Sequence, residues 1–560
     1  MNEKDFHIKK LFVEKKYSEL ILFIENEIKI KSSRYLNILG AARLLKEKST
    51  DAFRLALNEF KLAYLNEKNS DVGFEGLINY INATVDFYDI LNEKRLFNEH
   101  DNFFDEPIKF FKEANEKTGY NSKLIYSIAR VFKRQHKFKE TSYYYSLLFK
   151  NNDLNLTSLS SWIFFNNYLD NWNQQDYFRY SKLLNEYCNI YSVEDLNPIV
   201  VEKKKKIRIA FLSSDIRIRH PITYFLKSVL KNCNNENYEI YLFLNDERED
   251  NTTEEFKQLV YKYFFINHLN DLEVINLVRK QKIDVIFDIM GLTSSFRISL
   301  FKNRLAPIQI NWMGHHNTSG LYEMDYLIAD KHLILPEEEK YFTEKILFMP
   351  DIWICHSGFD FERNFLDPPC KKNNFFTFGS FNNFAKINKK VISVWSNILK
   401  KVTKSKLILK SSTNSNIQHM KKIFKENEVL DSVIFLDNEA SYQKHLNLYN
   451  KIDVVLDTFP YNGVTTSFEA LWMGVPIITM KGFHFNSRCG ESINKNIGLE
   501  ELISNNEIDY YNKALEISSD RNYFFKIKKK LITNIYNSPL FNAENFSNNF
   551  FILLKKLLEK

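Results

Sequence analysis

Three loops carry residues able to handle a charged leaving group and a proton. In DTFPYNGVTTSFEALWMGVP, Asp457 to Pro476, an apolar run closes on an aspartate, a polar turn follows, and a helical pattern begins at Thr465 and Thr466. A helix N-terminus has backbone N–H groups without intrahelical partners and a positive dipole, so it favours an anion. With Asn462 and Gly463 allowing a tight turn and two hydroxyls adding donors, the turn suits a diphosphate. The plainer reading is an ordinary junction in which Thr465 caps the helix and Glu469 complements its dipole. SFNNFAKINKK, Ser380 to Lys390, places Asn382, Asn383 and Lys386 in a loop before another helix. A lysine there can neutralise the charge that grows on a departing diphosphate, although most lysines are simply solvated. SSDIRIRHPITYFL puts Ser213, Ser214 and Asp215 at a strand end and His220 just before Pro221. Such a histidine can relay a proton near neutral pH, or cap the helix that follows.

Each loop needs a strand before it and a helix after it. From Ile207 the runs IRIAFLSSD, EIYLFLND, IDVIFDIMG, APIQINWMG and MDYLIAD are short and apolar, separated by helical or loop stretches. From Phe375 a second series follows: FFTFGSFNN, KLILKSS, SVIFLDN, IDVVLDT and VPIITMKG, with an amphipathic helix at Lys389 to Lys401. Apolar runs of this kind read as strands of parallel sheets covered on both faces. The polar, proline-containing stretch Arg363 to Asn374 reads as the linker between two Rossmann-like lobes. Ligands of such sheets bind beyond the carboxyl ends of the strands, where all three loops sit.

Before the charged linker Val201 to Lys206 the pattern is helical, giving a segment of residues 1–200. Ile125, Ile128, Ala129 and Phe132, then Thr141, Tyr145 and Leu148, match the two helices of a tetratricopeptide repeat. Leu36, Leu39 and Gly40, followed by Ala56, Phe60 and Ala63, echo them, and KKYSEL at Lys15 resembles HKFKET at His136. Stacked hairpins would offer a groove to a partner; an irregular helical domain is the other reading.

The length of 560 residues calls for several domains of about 100–200 residues each. A formal charge of +7 spread over the whole chain does not point to nucleic acid. Cys188, Cys233, Cys355, Cys370 and Cys489 are scattered with no CxxC pair, which fits a reducing compartment without a zinc site. The charged start MNEKDFHIKKLFVEKK has no apolar core of a signal peptide, and no long apolar run spans a membrane, so a cytoplasmic protein is expected.

Five segments in order resemble the O-linked N-acetylglucosamine transferase and SPINDLY family: IRIAFLSSDIRIRHPI, RLAPIQINWMGHHNTSG through MDYLIAD, FGSFNNFAKIN, HLNLYNKIDVVLDTFPYNGVTTSFEALWMGVPIIT and SRCGES. The resemblance covers about Lys206 to Leu502, and the helical start more loosely. It implies a helical repeat-like domain (1–200) before a GT-B glycosyltransferase, with a first, acceptor-side lobe at 206–370 and a nucleotide-sugar lobe with C-terminal helices at 371–560. Carried over by position, Lys386 contacts the donor diphosphate with Asn383 nearby, and Val464, Thr465 and Thr466 surround the phosphates. Glu469 bonds the ribose, Ala440 and His445 line the nucleoside pocket, and His220 is a histidine of the catalytic centre. The implied reaction is an inverting transfer of N-acetylglucosamine from its UDP donor to Ser or Thr of a protein held by the N-terminal helices, with no metal or other cofactor. Three departures fall on the sugar and acceptor side: Val464 where animal members have histidine, GHHNT (Gly314 to Thr318) for GYPGT, and GLT (Gly291 to Thr293) for GHT. They leave room for glucose on asparagine, as in HMW1C-like relatives, or for SPINDLY-type fucose. An inactive helical-repeat adaptor is the non-enzymatic alternative.

Overall fold

The computed structural model describes residues 3–93, 102–193, 196, 198–199, 204–293, 296–359, 365–410, 414–437, 439 and 441–559. Ala440 and parts of both expected linkers, 201–203 and 363–364, lie outside the described residues. Two compact units divide the chain, one up to Ser158 with the short stretch at 413–419, the other formed by the rest.

The first unit is helical. Glu3–Val13 and Tyr17–Glu27 form one hairpin, Ser33–Lys46 and Thr50–Asn66 a second, and Ser122–Arg134 and Phe138–Lys150 another. Ile125, Ile128, Ala129, Thr141, Tyr145 and Leu148, the repeat-template positions, are buried between the last pair. Gly40 lets the second hairpin close, because a Cβ there would stand 2.7 Å from the Phe60 ring. KKYSEL and HKFKET turn alike: Lys15 and His136 both take positive φ, 58° and 55°. In both turns the next residue's N–H closes the preceding helix, Lys16 on Leu11 and Lys137 on Phe132.

The division after Ser158 comes well before the charged linker, so the helical segment does not end as one body near residue 200. Its last helices, Leu156–Asn166 and Gln174–Cys188, pack largely within the second unit. Gln174 Nε2 donates to Asn317 Oδ1 at 2.8 Å, Asn167 Oδ1 accepts from Asn486 Nδ2 at 2.8 Å, and Tyr177 lies against His484. Helical periodicity alone cannot show which neighbour a helix packs on.

The second unit contains two parallel sheets. The first takes strands β1 (Ile207–Ser213), β2 (Tyr238–Leu244), β3 (Lys262–Phe265), β4 (Val285–Asp288), β5 (Ile308–Asn311), β6 (Tyr326–Ala329) and β7 (Lys345–Phe348) in the order β3-β2-β1-β4-β5-β6-β7. The second takes β8 (Thr377–Ser380), β9 (Lys406–Lys410), β10 (Val433–Leu436), β11 (Val454–Leu456), β12 (Ile477–Met480) and β13 (Ile503–Ser504) in the order β10-β9-β8-β11-β12-β13. Strand order reverses at β1/β4 and at β8/β11, and crevices open at such switch points. Every expected strand is present. The additional ones, β3, β7 and β13, lie at sheet edges, where one flank is solvated and the apolar run is broken by lysine or cut short.

The C-terminal helix Ala543–Leu558 returns to the first lobe. Phe550 packs 5.0 Å from Trp312, and Phe551 packs 4.4 Å from Tyr238. Residues 371–560 therefore do not form the second lobe alone. The five cysteines are unpaired, and among the described residues no helix is long and apolar enough to cross a membrane.

Candidate active site

Asp457, just past β11, organises the turn that follows it. Its carboxylate accepts from the N–H groups of Thr458 (2.9 Å) and Gly463 (2.7 Å), from Asn382 Nδ2 (3.1 Å) and from Thr479 Oγ1 (2.8 Å). Burial raises its pKa to about 6 against these donors. Asn462 ties the other side: its Nδ2 donates to the carbonyls of Thr458 and Met480, and its Oδ1 accepts from Gly490 N–H. Neither Asn462 nor Gly463 takes positive φ, so the tight turn expected from them does not use left-handed backbone. Gly463 is small for another reason: a Cβ there would meet Asn382 Oδ1 and Thr466 Oγ1, both at 2.8 Å.

The helix Thr465–Trp472 starts from this braced turn, with Val464 at its N-cap and no side-chain cap. Thr465 thus does not cap the helix. The N–H groups of Ser467 and Phe468 bond to the Val464 carbonyl, so those of Thr465 and Thr466 form the helix's anion-attracting end. Thr466 Oγ1 donates to Asn382 Oδ1 at 2.8 Å, linking the loops after β8 and β11.

Lys386 stands beside this end. Its Nζ donates to the Asn462 carbonyl at 2.8 Å and lies 3.9 Å above the Tyr461 ring. Burial pushes the ammonium down to about 8, partly countered by Asp457. Asn383 is exposed and caps the short turn that presents Lys386, its Oδ1 accepting from Ala385 N–H.

Across the cavity, His220 precedes the helix Pro221–Leu230 without capping it by its side chain. Its Nε2 lies 3.4 Å from Asp215 Oδ1, too long for a firm hydrogen bond. Burial lowers its pKa against the pull of Asp215, so the imidazole is neutral at pH 7. His220 Nδ1, Asp215 Oδ2 and Ser214 Oγ are buried without a partner among the described residues. The GHHNT segment forms another wall. Burial drops His315 to about 3 and His316 to about 4, and His316 Nδ1 lies 3.0 Å from Asn486 Oδ1.

His220, Asn383, Lys386, Val464, Thr465 and Thr466 line one cavity of about 450 Å³, which the strand ends also close with Thr293, His315 and His316. His445 and Glu469 are not among its lining residues. They form a separate polar cluster: Glu469, one turn further along the helix Thr465–Trp472, accepts from Tyr442 (2.8 Å) and Tyr449 (3.1 Å), and His445 comes from the helix Tyr442–Asn447. The sequence gives Asn462 only a part in the turn and no bracing role to Asp457, Tyr461 or Lys410. Asp457 left a trace, an acidic residue closing an apolar run; the others act only through loops distant in sequence.

The profile described as Glycosyl transferase family 41 matches residues 189–360 and 371–550. The chain belongs to glycosyl transferase family 41. The Solanum lycopersicum protein named probable UDP-N-acetylglucosamine--peptide N-acetylglucosaminyltransferase SPINDLY is 30% identical over 359 residues, 62% of this chain and 38% of that protein. Its Oryza sativa counterpart is 31% identical over 364 residues, 63% of this chain and 38% of that protein. The family 41 chain therefore spans well under half the length of these relatives. A solved mutant of the Thermobaculum terrenum O-GlcNAc transferase matches with a TM-score of 0.70 over 99% of this chain and 98% of that one, at 22% identity. That likeness establishes the shared fold: helical repeats ahead of a GT-B pair of lobes.

Proposed function

We propose that this family 41 chain transfers N-acetylglucosamine from UDP-N-acetylglucosamine to Ser or Thr hydroxyls of a protein, with inversion and without a metal. The observation that carries the reading is that Lys386 and the N-terminus at Thr465 and Thr466 share one cavity with His220. The diphosphate would rest on the helix N–H groups, with Lys386 turning from the Asn462 carbonyl to the phosphate oxygens. Charge grows on the leaving oxygen as the glycosidic bond breaks, and a fixed cation there stabilises the transition state more than the ground state. The acceptor hydroxyl attacks directly from the opposite face, which inverts the anomeric carbon. Neutral His220 would receive its proton. The names of the relatives support the donor and the peptide acceptor. We further assign acceptor recruitment to the helical hairpins of the first unit, and a reducing cytoplasmic setting, which five unpaired cysteines support.

A second reading keeps the mechanism and changes the sugar. It is favoured by His315 and His316 on the cavity wall, where the family motif has other residues. Intact-protein mass spectrometry of acceptor proteins incubated with the full chain, EDTA and one of UDP-N-acetylglucosamine, UDP-glucose or GDP-fucose decides between them. A mass gain of one N-acetylhexosamine on Ser or Thr is expected. A hexose on asparagine, a deoxyhexose, or activity only after magnesium is restored would sink the first reading.

A further inference from the structure

Lys410, the last residue of β9, plays no part in the transfer described above, yet it begins a buried polar chain ending at Glu469. Its Nζ lies 2.7 Å from His445 Nδ1, and His445 Nε2 lies 3.0 Å from Glu469 Oε2. Glu469 is only 4% exposed. An ionised carboxylate can only accept, so Nε2 must carry a hydrogen. His445 Nδ1 then either accepts from a lysine ammonium or, in an imidazolium, donates to a neutral amine. A free lysine holds its proton about four pH units more tightly than a free imidazole, which leaves the proton on Lys410. Around the chain, the Tyr442 and Tyr449 hydroxyls donate to Glu469, Tyr224 stacks on Tyr442 at 5.3 Å, and the Phe381 ring lies 5.9 Å from His445. Burial lowers the Lys410 pKa, with Glu469 and Glu439 pulling it up and Arg219 pushing it down.

We infer that Lys410 is a positioning residue that locks His445 in its Nε2–H tautomer and so keeps Glu469 an anion with one acceptor position open. The two oxygens of a carboxylate offer about four lone-pair sites. Tyr442 takes one on Oε1, while His445 and Tyr449 take both on Oε2. The open site is on Oε1. Resting on the nucleotide-sugar reading above, it suits a ribose hydroxyl. Without Lys410, His445 can bind a second proton, and the imidazolium would then compete for the charge that the ribose needs.

The test uses the full chain with histidine labelled in ¹⁵N, as wild type, Lys410→Met and Lys410→Arg, followed by NMR between about pH 6 and pH 8. Uridine binding is measured in parallel, because uridine has no phosphates and does not report on Lys386. In the wild type, His445 should stay in the Nε2–H form, with uridine affinity constant across the range. In Lys410→Met, His445 should take a second proton towards pH 6, and uridine should bind about threefold or more weakly there than at pH 8. Lys410→Arg should restore the flat profile. An Nδ1–H tautomer in the wild type, or a Lys410→Met variant whose affinity drops equally at every pH, would overturn the inference. If uridine and UDP fail to bind the wild type, the donor assignment is wrong, and the tautomer spectra still decide the role of Lys410.

Discussion

On the C-terminal side of the cavity, the side chains of Asn382, which lines it, and of Asp457 and Asn462, which brace the turn outside the lining, are hydrogen-bonded at both ends. On the N-terminal side, His220 Nδ1 and His315 Nε2, of two lining residues, and Ser214 Oγ and Asp215 Oδ2, outside the lining, are buried without a partner among the described residues. A braced wall keeps a helix end and an ammonium aimed at an anion before it arrives, so binding requires little reorganisation. An unpartnered buried polar atom costs about 1–3 kcal/mol, which a substrate hydroxyl can offset by completing the bond. On the reading proposed above, the contrast separates a preformed leaving-group side from an acceptor side that its substrate completes.

Breaking the unfinished wall should have the largest effect. His220→Ala should lower turnover by about two to four orders of magnitude while UDP still binds, since the proton acceptor is lost and the phosphate wall is intact. Steady-state turnover paired with calorimetry checks this; near-normal turnover in a folded variant would remove His220 from the proton path. The finished wall should set the alkaline limit. Lys386 is charged below about pH 8 and loses its proton above it. The value of kcat/KM should then fall about tenfold per pH unit beyond that point. In Lys386→Arg, whose guanidinium keeps its charge, any residual activity should lack that limb. A wild-type profile flat to pH 10 would contradict the assignment. The smallest effect concerns the bracing itself: Gly463→Ala should cost about 1–3 kcal/mol of stability in denaturant unfolding, because the added methyl displaces the Asn382–Thr466 pair. An unchanged midpoint would show that the turn has room.

The sequence made one class of feature readable and hid another. Parallel strands buried on both faces read as apolar runs, so the ends of β1, β8 and β11, and with them His220, Lys386 and Thr465, could be located without coordinates. Edge strands β3, β7 and β13 carry no such run. Residues whose role depends on another loop were opaque. Asn382 matters through Asp457 and Thr466, and Lys410 through His445. Gly463 reads in the sequence as a conformational glycine, whereas it leaves space for three neighbouring side chains. The last two helices before the linker looked like more of the helical segment, because periodicity shows a buried face without saying what buries it.

The central claim is that Lys386 acts on the departing diphosphate more than on the bound donor. Lys386→Ala tests it most directly, with UDP affinity measured by calorimetry beside turnover of UDP-N-acetylglucosamine on a protein acceptor at pH 7. The account predicts that turnover falls by about two to three orders of magnitude while UDP affinity falls by about tenfold or less. Equal losses in affinity and kcat/KM, with kcat unchanged, would show that Lys386 only holds the nucleotide and would contradict the account.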